Sequence, residues 1–220
     1  MPAAERAAQQ IIEALTACPV LPVTVVHDAR HARPLANTLA ASGLTAIEIT
    51  LRTPSALAAI ENIAEGTGLV VGAGTVVSVA QIDDAVAAGA RFVVTPGFDR
   101  RLVERCRELA IPIFPGIATA TDVMAAIDEQ LEILKFFPAE QLGGMATIRA
   151  LNAPFPTIRF IPTGGITPAL LPGYLSRPEV LAVGGSWMVD PSLVADEDWS
   201  GLAQLASGAM RLATTARAGS

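Results

Sequence analysis

A chain of 220 residues, 51% hydrophobic and 16% charged, is long enough for a sizeable core and too apolar to be disordered. Its 15 basic and 21 acidic residues give a net charge of −6, which disfavours nucleic acid or an anionic membrane as a partner. Two cysteines, Cys18 and Cys106, have no metal-ligand spacing and read as reduced thiols, no apolar run has transmembrane length, and Met1–Arg6 has no secretory pattern. A soluble, cytoplasmic protein is the expectation.

Alanine, glutamine and glutamate around Ile11, Ile12 and Leu15 predict a helix over residues 1–17, ended by Pro19. Short apolar runs then recur at Val20–Val26, Ala46–Leu51, Leu69–Val71, Phe92–Val94, Ile111–Phe114, Ile133–Phe137, Ile158–Ile161 and Val180–Val183. Helical patterns separate them at Ala32–Ala41, Ser55–Ala64, Val79–Ala88, Arg100–Leu109 and Ala120–Gln130. Beyond Phe137 the pattern is noisier, with Gly143, Gly144, Pro154 and Pro156, until a closing helix over 197–216. Runs spaced roughly 20 to 26 residues apart predict a single (β/α)8 TIM barrel over 1–220 with an extra N-terminal helix. A doubly wound open sheet is the alternative, but it offers no natural place for eight such regular units.

Within Leu131–Pro138 a lysine interrupts an otherwise apolar, strand-like run. Alternation puts Ile133, Lys135 and Phe137 on one face and Leu134 and Phe136 on the other. An ammonium among such neighbours loses hydration, which disfavours its charged form, and an uncharged amine attacks carbonyl carbon to give a Schiff base. The same segment also allows a lysine that snorkels outward or pairs with Glu132 or Glu140.

The run Ala46–Thr53 alternates strictly, with Glu48, Thr50 and Arg52 on one face and Ile47, Ile49 and Leu51 on the other. In a barrel the apolar face packs on helices, so the polar face points inward. A structural ion pair would account for this, yet buried pairs are rarely retained for stability. The functional reading makes Glu48 the general acid/base and Arg52 a planar fork for a carboxylate that also repels charge on Lys135. Thr75 and Thr163, at strand ends, are lesser candidates as hydroxyl donors, since such threonines are often only caps.

Two diglycine turns, Thr163-Gly164-Gly165-Ile166 and Gly184-Gly185-Ser186-Trp187, follow the last two strands, where barrel enzymes frequently bind phosphate on backbone donors. Ser186 would be the N-cap of a short helix. His27 and His31 stand four apart as metal ligands do, but they straddle a turn and lack a clustered third ligand, so no metal is expected. Trp187 and Trp199 read as packing residues.

The segments Glu48–Thr53, Val71–Thr75, Phe114–Gly116, Lys135–Glu140, Pro162–Ile166 and Gly184–Trp187 together resemble the 2-dehydro-3-deoxy-phosphogluconate (KDPG) aldolase / 4-hydroxy-2-oxoglutarate aldolase family. These are class I aldolases, the former acting in the Entner–Doudoroff pathway. The resemblance implies a Schiff base at Lys135, proton transfer by Glu48, and a pyruvyl carboxylate held by Arg52 and Thr75. It further implies Phe137 beside the imine, Thr163 against the substrate, and a phosphate on Gly164, Gly165, Gly185 and Ser186. A homotrimer acting on a phosphorylated 2-keto-3-deoxy sugar acid and on pyruvate, without a cofactor, is implied as well. Certain members carry an arginine near the end of the first strand; this chain reads Thr24-Val-Val-His27 there.

Overall fold

A computed structural model describes residues 3–218, with side chains from residue 9 onward. Residues 1–2 and 219–220, part of the single-domain span expected from sequence, lie outside the described residues. Helix α1 (Ala3–Ala17) precedes a regular alternation: β1 (Val20–Thr24), α2 (Ala32–Ala41), β2 (Ala46–Thr50), α3 (Ala56–Ala64), β3 (Val70–Gly74), α4 (Val79–Ala87), β4 (Val93–Val94) and α5 (Arg100–Glu108). The chain continues through β5 (Ile113–Phe114), β6 (Gly116–Ile117), α6 (Ala120–Asp128), β7 (Ile133–Phe136), α7 (Gly144–Asn152) and β8 (Arg159–Pro162). It ends with α8 (Leu171–Leu175), β9 (Val183–Gly185), α9 (Pro191–Ala195) and α10 (Trp199–Ala218). Among the described residues no helix is long and apolar enough to cross a membrane.

The fold is α/β with curled parallel sheets. One has the strand order β5-β4-β3-β2-β1-β9 and the other β6-β7-β8. Isolated parallel bridges, Phe160 to Val180 and Thr163 to Gly184, link the second sheet to the segment around β9. Only Pro115 separates β5 from β6. It has no N–H for a ladder, so the expected run Ile111–Phe114 ends there as β5, and β6 is a further short strand beyond it.

Two apolar layers follow from strand alternation. The outer one joins Ile47, Ile49, Val71, Leu134, Phe136 and Phe160 to buried residues of the surrounding helices, such as Leu35, Leu39 and Ile60. The inner one joins Leu21, Ala46, Phe92, Val94, Phe114, Ile133 and Ile161 to Ile11 and Leu15 of α1. Helix α1 therefore covers one end of the enclosed face, opposite the strand C-termini. Fully buried side chains such as Phe92, Phe136 and Phe160 each contribute about 1.5–3 kcal/mol relative to exposure.

Helix starts near the functional end are fixed locally. Ser78 caps α4 by accepting from the Gln81 N–H at 3.3 Å. Thr119 and Asp122 form a reciprocal capping box at α6. The expected role of Ser186 is corrected here. It opens a turn closed by Val189 N–H to Ser186 carbonyl at 3.0 Å, while the next helix, α9, begins at Pro191 and is capped by Asp190, which accepts from Ser192 N–H at 2.8 Å. Pro191 accounts for the displacement, because its ring suits a first helical position and it needs no donor partner there.

Candidate active site

Strand β2 is buried along its whole length, yet it carries a glutamate. Glu48 pairs in register with Val23 on β1 and Gly72 on β3. Lys135 on β7 pairs with Gly116 on one side and Ile161 on the other. Both side chains enter the enclosed space, where the Lys135 Nζ lies 3.3 Å from the Glu48 Oε1. Exposure is 7% for the lysine side chain and 1% for the glutamate. The pairing with Glu132 or Glu140 that the sequence allowed is thus not the one adopted, and the lysine does not snorkel outward.

The space for the Glu48 carboxylate comes from Gly74. A Cβ at that position would overlap the carboxylate, so only glycine at the end of β3 lets the acid stand where it does. Thr75 follows at φ +56°, a left-handed conformation costly for a β-branched residue and found where surrounding structure enforces it. Phe137 lies on the same side as the lysine, its ring centroid 5.3 Å from Nζ.

Above this pair opens a cavity of about 370 Å³ lined by Val23, Thr50, Arg52, Phe137, Thr163, Gly164, Gly165, Gly184, Gly185 and Ser186, with a few further apolar residues. Arg52 is exposed at its rim, and its guanidinium has no hydrogen-bond or ion-pair partner among the described residues. Gly164 and Gly165 adopt φ +107° and +76°, conformations that favour glycine and turn the backbone across the cavity. The two diglycine turns are neighbours through the Thr163–Gly184 bridge, and a Cβ at Gly184 would overlap the Thr163 hydroxyl. Of the residues singled out from sequence, Lys135 and Glu48 meet directly. Arg52, Phe137, Thr163 and the glycine turns line one cavity, and Thr75 stands half-buried at the end of the strand beside Glu48.

A larger cavity of about 510 Å³ beside α10 is lined by no lysine, histidine, cysteine or carboxylate. Among the described residues the one lysine–carboxylate pair is the one between β2 and β7.

Residues 11–205 match the aldolase family described as KDPG and KHG aldolase. The chain belongs to that family. It is 46% identical to the 2-dehydro-3-deoxy-phosphogluconate aldolase of Zymomonas mobilis over 78% of this chain and 82% of that one. The crystal structure of the Zymomonas mobilis ZM4 enzyme with 3-phosphoglycerate superposes with a TM-score of 0.88 at 41% identity, covering 93% of this chain and 96% of the other. A KDPG aldolase from Legionella pneumophila, with pyruvate captured as a covalent carbinolamine, superposes with a TM-score of 0.87 at 38% identity, covering 90% and 97%.

Neither histidine of the His27/His31 pair belongs to a metal-binding group. His27 is exposed, whereas His31 pairs with Glu197 at 3.4 Å and packs edge-on against Trp199. Among the described residues no three or more His, Cys, Asp or Glu side chains are grouped to hold a metal ion. Trp199 packs as expected, and partly buried Trp187 joins the outer apolar layer.

Sequence reasoning left three features without a role. Thr50 lines the cavity and is 2% exposed. Gly74 stands in the sequence only within the Val71–Thr75 segment of the family resemblance. Glu140 accepts a hydrogen bond from the Tyr174 hydroxyl, and its own N–H donates to the Gly164 carbonyl at 3.1 Å. For Thr50 the alternation of β2 held the signal; the other two depend on contacts between distant segments.

Proposed function

We propose that this chain is a class I aldolase, a carbon–carbon lyase that cleaves 2-dehydro-3-deoxy-6-phosphogluconate reversibly to pyruvate and glyceraldehyde 3-phosphate. The observation that carries this reading is the buried Lys135–Glu48 pair, 3.3 Å apart, beneath a cavity whose rim holds Arg52. Family membership and the carbinolamine in the Legionella pneumophila relative support it.

In this mechanism Glu48 accepts a proton from Lys135, and the free amine adds to C2 of the substrate. The carbinolamine loses water, with Glu48 supplying the proton, to give a protonated imine. Glu48, directly or through a water, then takes the proton of the C4 hydroxyl. The C3–C4 bond breaks, its electron pair passes into the imine to give an enamine, and C4 leaves as the aldehyde. Protonation at C3 and hydrolysis release pyruvate and restore Lys135. Arg52 and Thr75 hold the pyruvyl carboxylate, Phe137 packs beside the imine and Thr163 contacts the substrate. Gly164, Gly165, Gly185 and Ser186 take the phosphate through backbone and hydroxyl donors. No metal or organic cofactor enters any step.

A second substrate, 4-hydroxy-2-oxoglutarate, is favoured by one observation. Among the described residues Arg52 is the one cationic side chain that lines the cavity, and the donors at its far end are neutral. Comparing kcat/KM for both acids and for the phosphogalactonate epimer ranks them. In keeping with the reading, the two curled sheets close as one eight-fold barrel domain, and the protein works as a cytoplasmic homotrimer in the Entner–Doudoroff pathway. The deciding experiment is borohydride reduction with pyruvate. A stable adduct on the peptide that contains Lys135 is expected, and its absence would refute imine chemistry.

A further inference from the structure

The backbone register between β1 and β2 stops at Thr24 and Ile49. Beyond it the two strand-end segments are joined by side chains in place of backbone donors. The Thr50 hydroxyl donates to the Thr24 carbonyl at 3.0 Å, and the Thr53 hydroxyl donates to the Val26 carbonyl at 2.5 Å. Ser55 and Asn62 continue the seam, donating to the His27 carbonyl at 2.8 Å and to the Ala29 carbonyl at 3.0 Å. On the opposite flank the Leu51 N–H donates to the Gly74 carbonyl at 2.8 Å, one step beyond the β2–β3 ladder.

Arg52 stands between these two ties. Its own N–H turns back onto the Thr50 carbonyl at 2.8 Å, so the chain leaves the strand at this residue. Its guanidinium has no partner among the described residues, so no side-chain contact sets its aim. The aim is set by the backbone that carries it. On one side that backbone is fixed by the bond from Leu51 to Gly74; on the other the nearest tie is a single hydroxyl, that of Thr53. A small turn of the Arg52 Cα moves the end of so long a side chain far, and small misplacements of a binding group are costly. We propose that Thr53 is a positioning residue, whose bond to the Val26 carbonyl orients Arg52 toward the carboxylate of the keto acid. The proposal rests on the aldolase reading and adds to it the group that aims the arginine.

Thr53→Val removes the donor at almost constant shape, and Thr53→Ser keeps it. Exchange of the pyruvate methyl hydrogens with D2O reads the carboxylate half of the substrate alone, because no aldehyde takes part. Thr53→Val is expected to raise KM for pyruvate in exchange about five- to tenfold, the effect of one hydrogen bond, while the saturated rate stays within about twofold of the parent. Thr53→Ser is expected to return KM to near the parent value. In an Arg52→Ala background the same Thr53→Val change is expected to leave KM where Arg52→Ala alone puts it, because residues that act as one unit are not additive. Thr53→Ala repeats the comparison if circular dichroism shows the valine variant to be misfolded. An unchanged KM, or an equal rise with and without Arg52, would mean that the hydroxyl only braces the loop, and a fall in the saturated rate at constant KM would place its effect elsewhere; each result overturns the proposal. Absence of exchange and of borohydride trapping in the parent would instead overturn the aldolase reading, and the proposal with it.

Discussion

Lys135 and Glu48 are 87 positions apart in the chain, yet their charged atoms stand 3.3 Å apart in a space almost closed to water. Each partner compensates for the other's desolvation, so deleting one leaves an uncompensated buried charge, an outcome that costs about 3–5 kcal/mol. Lys135→Ala is therefore expected to be doubly affected. Cleavage should fall by about four orders of magnitude or more, because the sequence has no other lysine to take its place. The urea midpoint should fall as well. Glu48→Gln keeps shape and hydrogen bonding, so it should retain more stability than Lys135→Ala while losing about 10²–10⁴-fold in rate. Steady-state assays and urea titrations on both variants check this; a Lys135→Ala protein of normal activity would dismiss the lysine as nucleophile.

Gly74 sets where the acid can stand. Alanine there would overlap the Glu48 carboxylate, which is walled in and cannot swing into solvent. Gly74→Ala is expected to lower kcat at least about tenfold by moving the carboxylate from the lysine, since small misplacements of a catalytic group are costly. Gly97→Ala, after β4, is the control, because a Cβ at Gly97 meets nothing within 4 Å. Parallel kcat measurements on the two variants separate a local clash from a general intolerance of alanine at strand ends.

Burial pushes the Cys106 thiol from its ordinary value of 9.0 up to about 12. In the unfolded chain the thiol loses its proton near the ordinary value, while in the native protein it keeps it. Between those two values the native state binds more protons than the unfolded one. Stability contributed at this residue is thus intact below pH 9 and declines as pH rises toward about 12. The stability gap between the parent and Cys106→Ala is expected to narrow above pH 9. Urea midpoints at pH 8, 9.5 and 10.5 check the direction. Both thiols are buried, so a thiol reagent at pH 8 should label the protein only on unfolding.

What was legible in the sequence follows from how each signal is encoded. The alternation of Glu48, Thr50 and Arg52 in β2 is a local period-two pattern, which by itself places the acid on the inward face. Helix α2 spans Ala32–Ala41, the limits its pattern predicts. Helix α7 was missed because Gly143 and Gly144, poor helix residues, stand at its start in left-handed conformations that enter the helix rather than break it. Strand β9 lies at Val183–Gly185 rather than Val180–Val183, because its pairing with Val20–Pro22 of β1 outweighs the low strand propensity of glycine. Partners across the fold, Glu48 with Lys135 and Gly74 with Glu48, have no local signature. Their residue types hinted at chemistry; only chain topology brings them together.

The same dependence on distant contacts applies to Tyr174, which is 3% exposed and donates its hydroxyl hydrogen to Glu140. Burial first, and this hydrogen bond second, raise the phenol above its ordinary value, so it remains a donor throughout the working pH range. Glu140 in turn supports the Gly164–Gly165 turn. Its N–H bonds the Gly164 carbonyl, and its side chain packs so closely that a Cβ at Gly165 would stand 2.8 Å from the Glu140 Cβ. Tyr174→Phe leaves the Glu140 carboxylate without this donor and should cost about 1–3 kcal/mol of stability. On the proposed role of the turn, KM for the phosphorylated acid should rise several-fold while kcat changes little, because the tyrosine has no contact with Lys135 or Glu48. KM for 4-hydroxy-2-oxoglutarate, which has no phosphate, should be unchanged. Steady-state constants for both substrates distinguish the cases: a parallel rise in both KM values would show that the tyrosine supports the fold at large and not the phosphate turn.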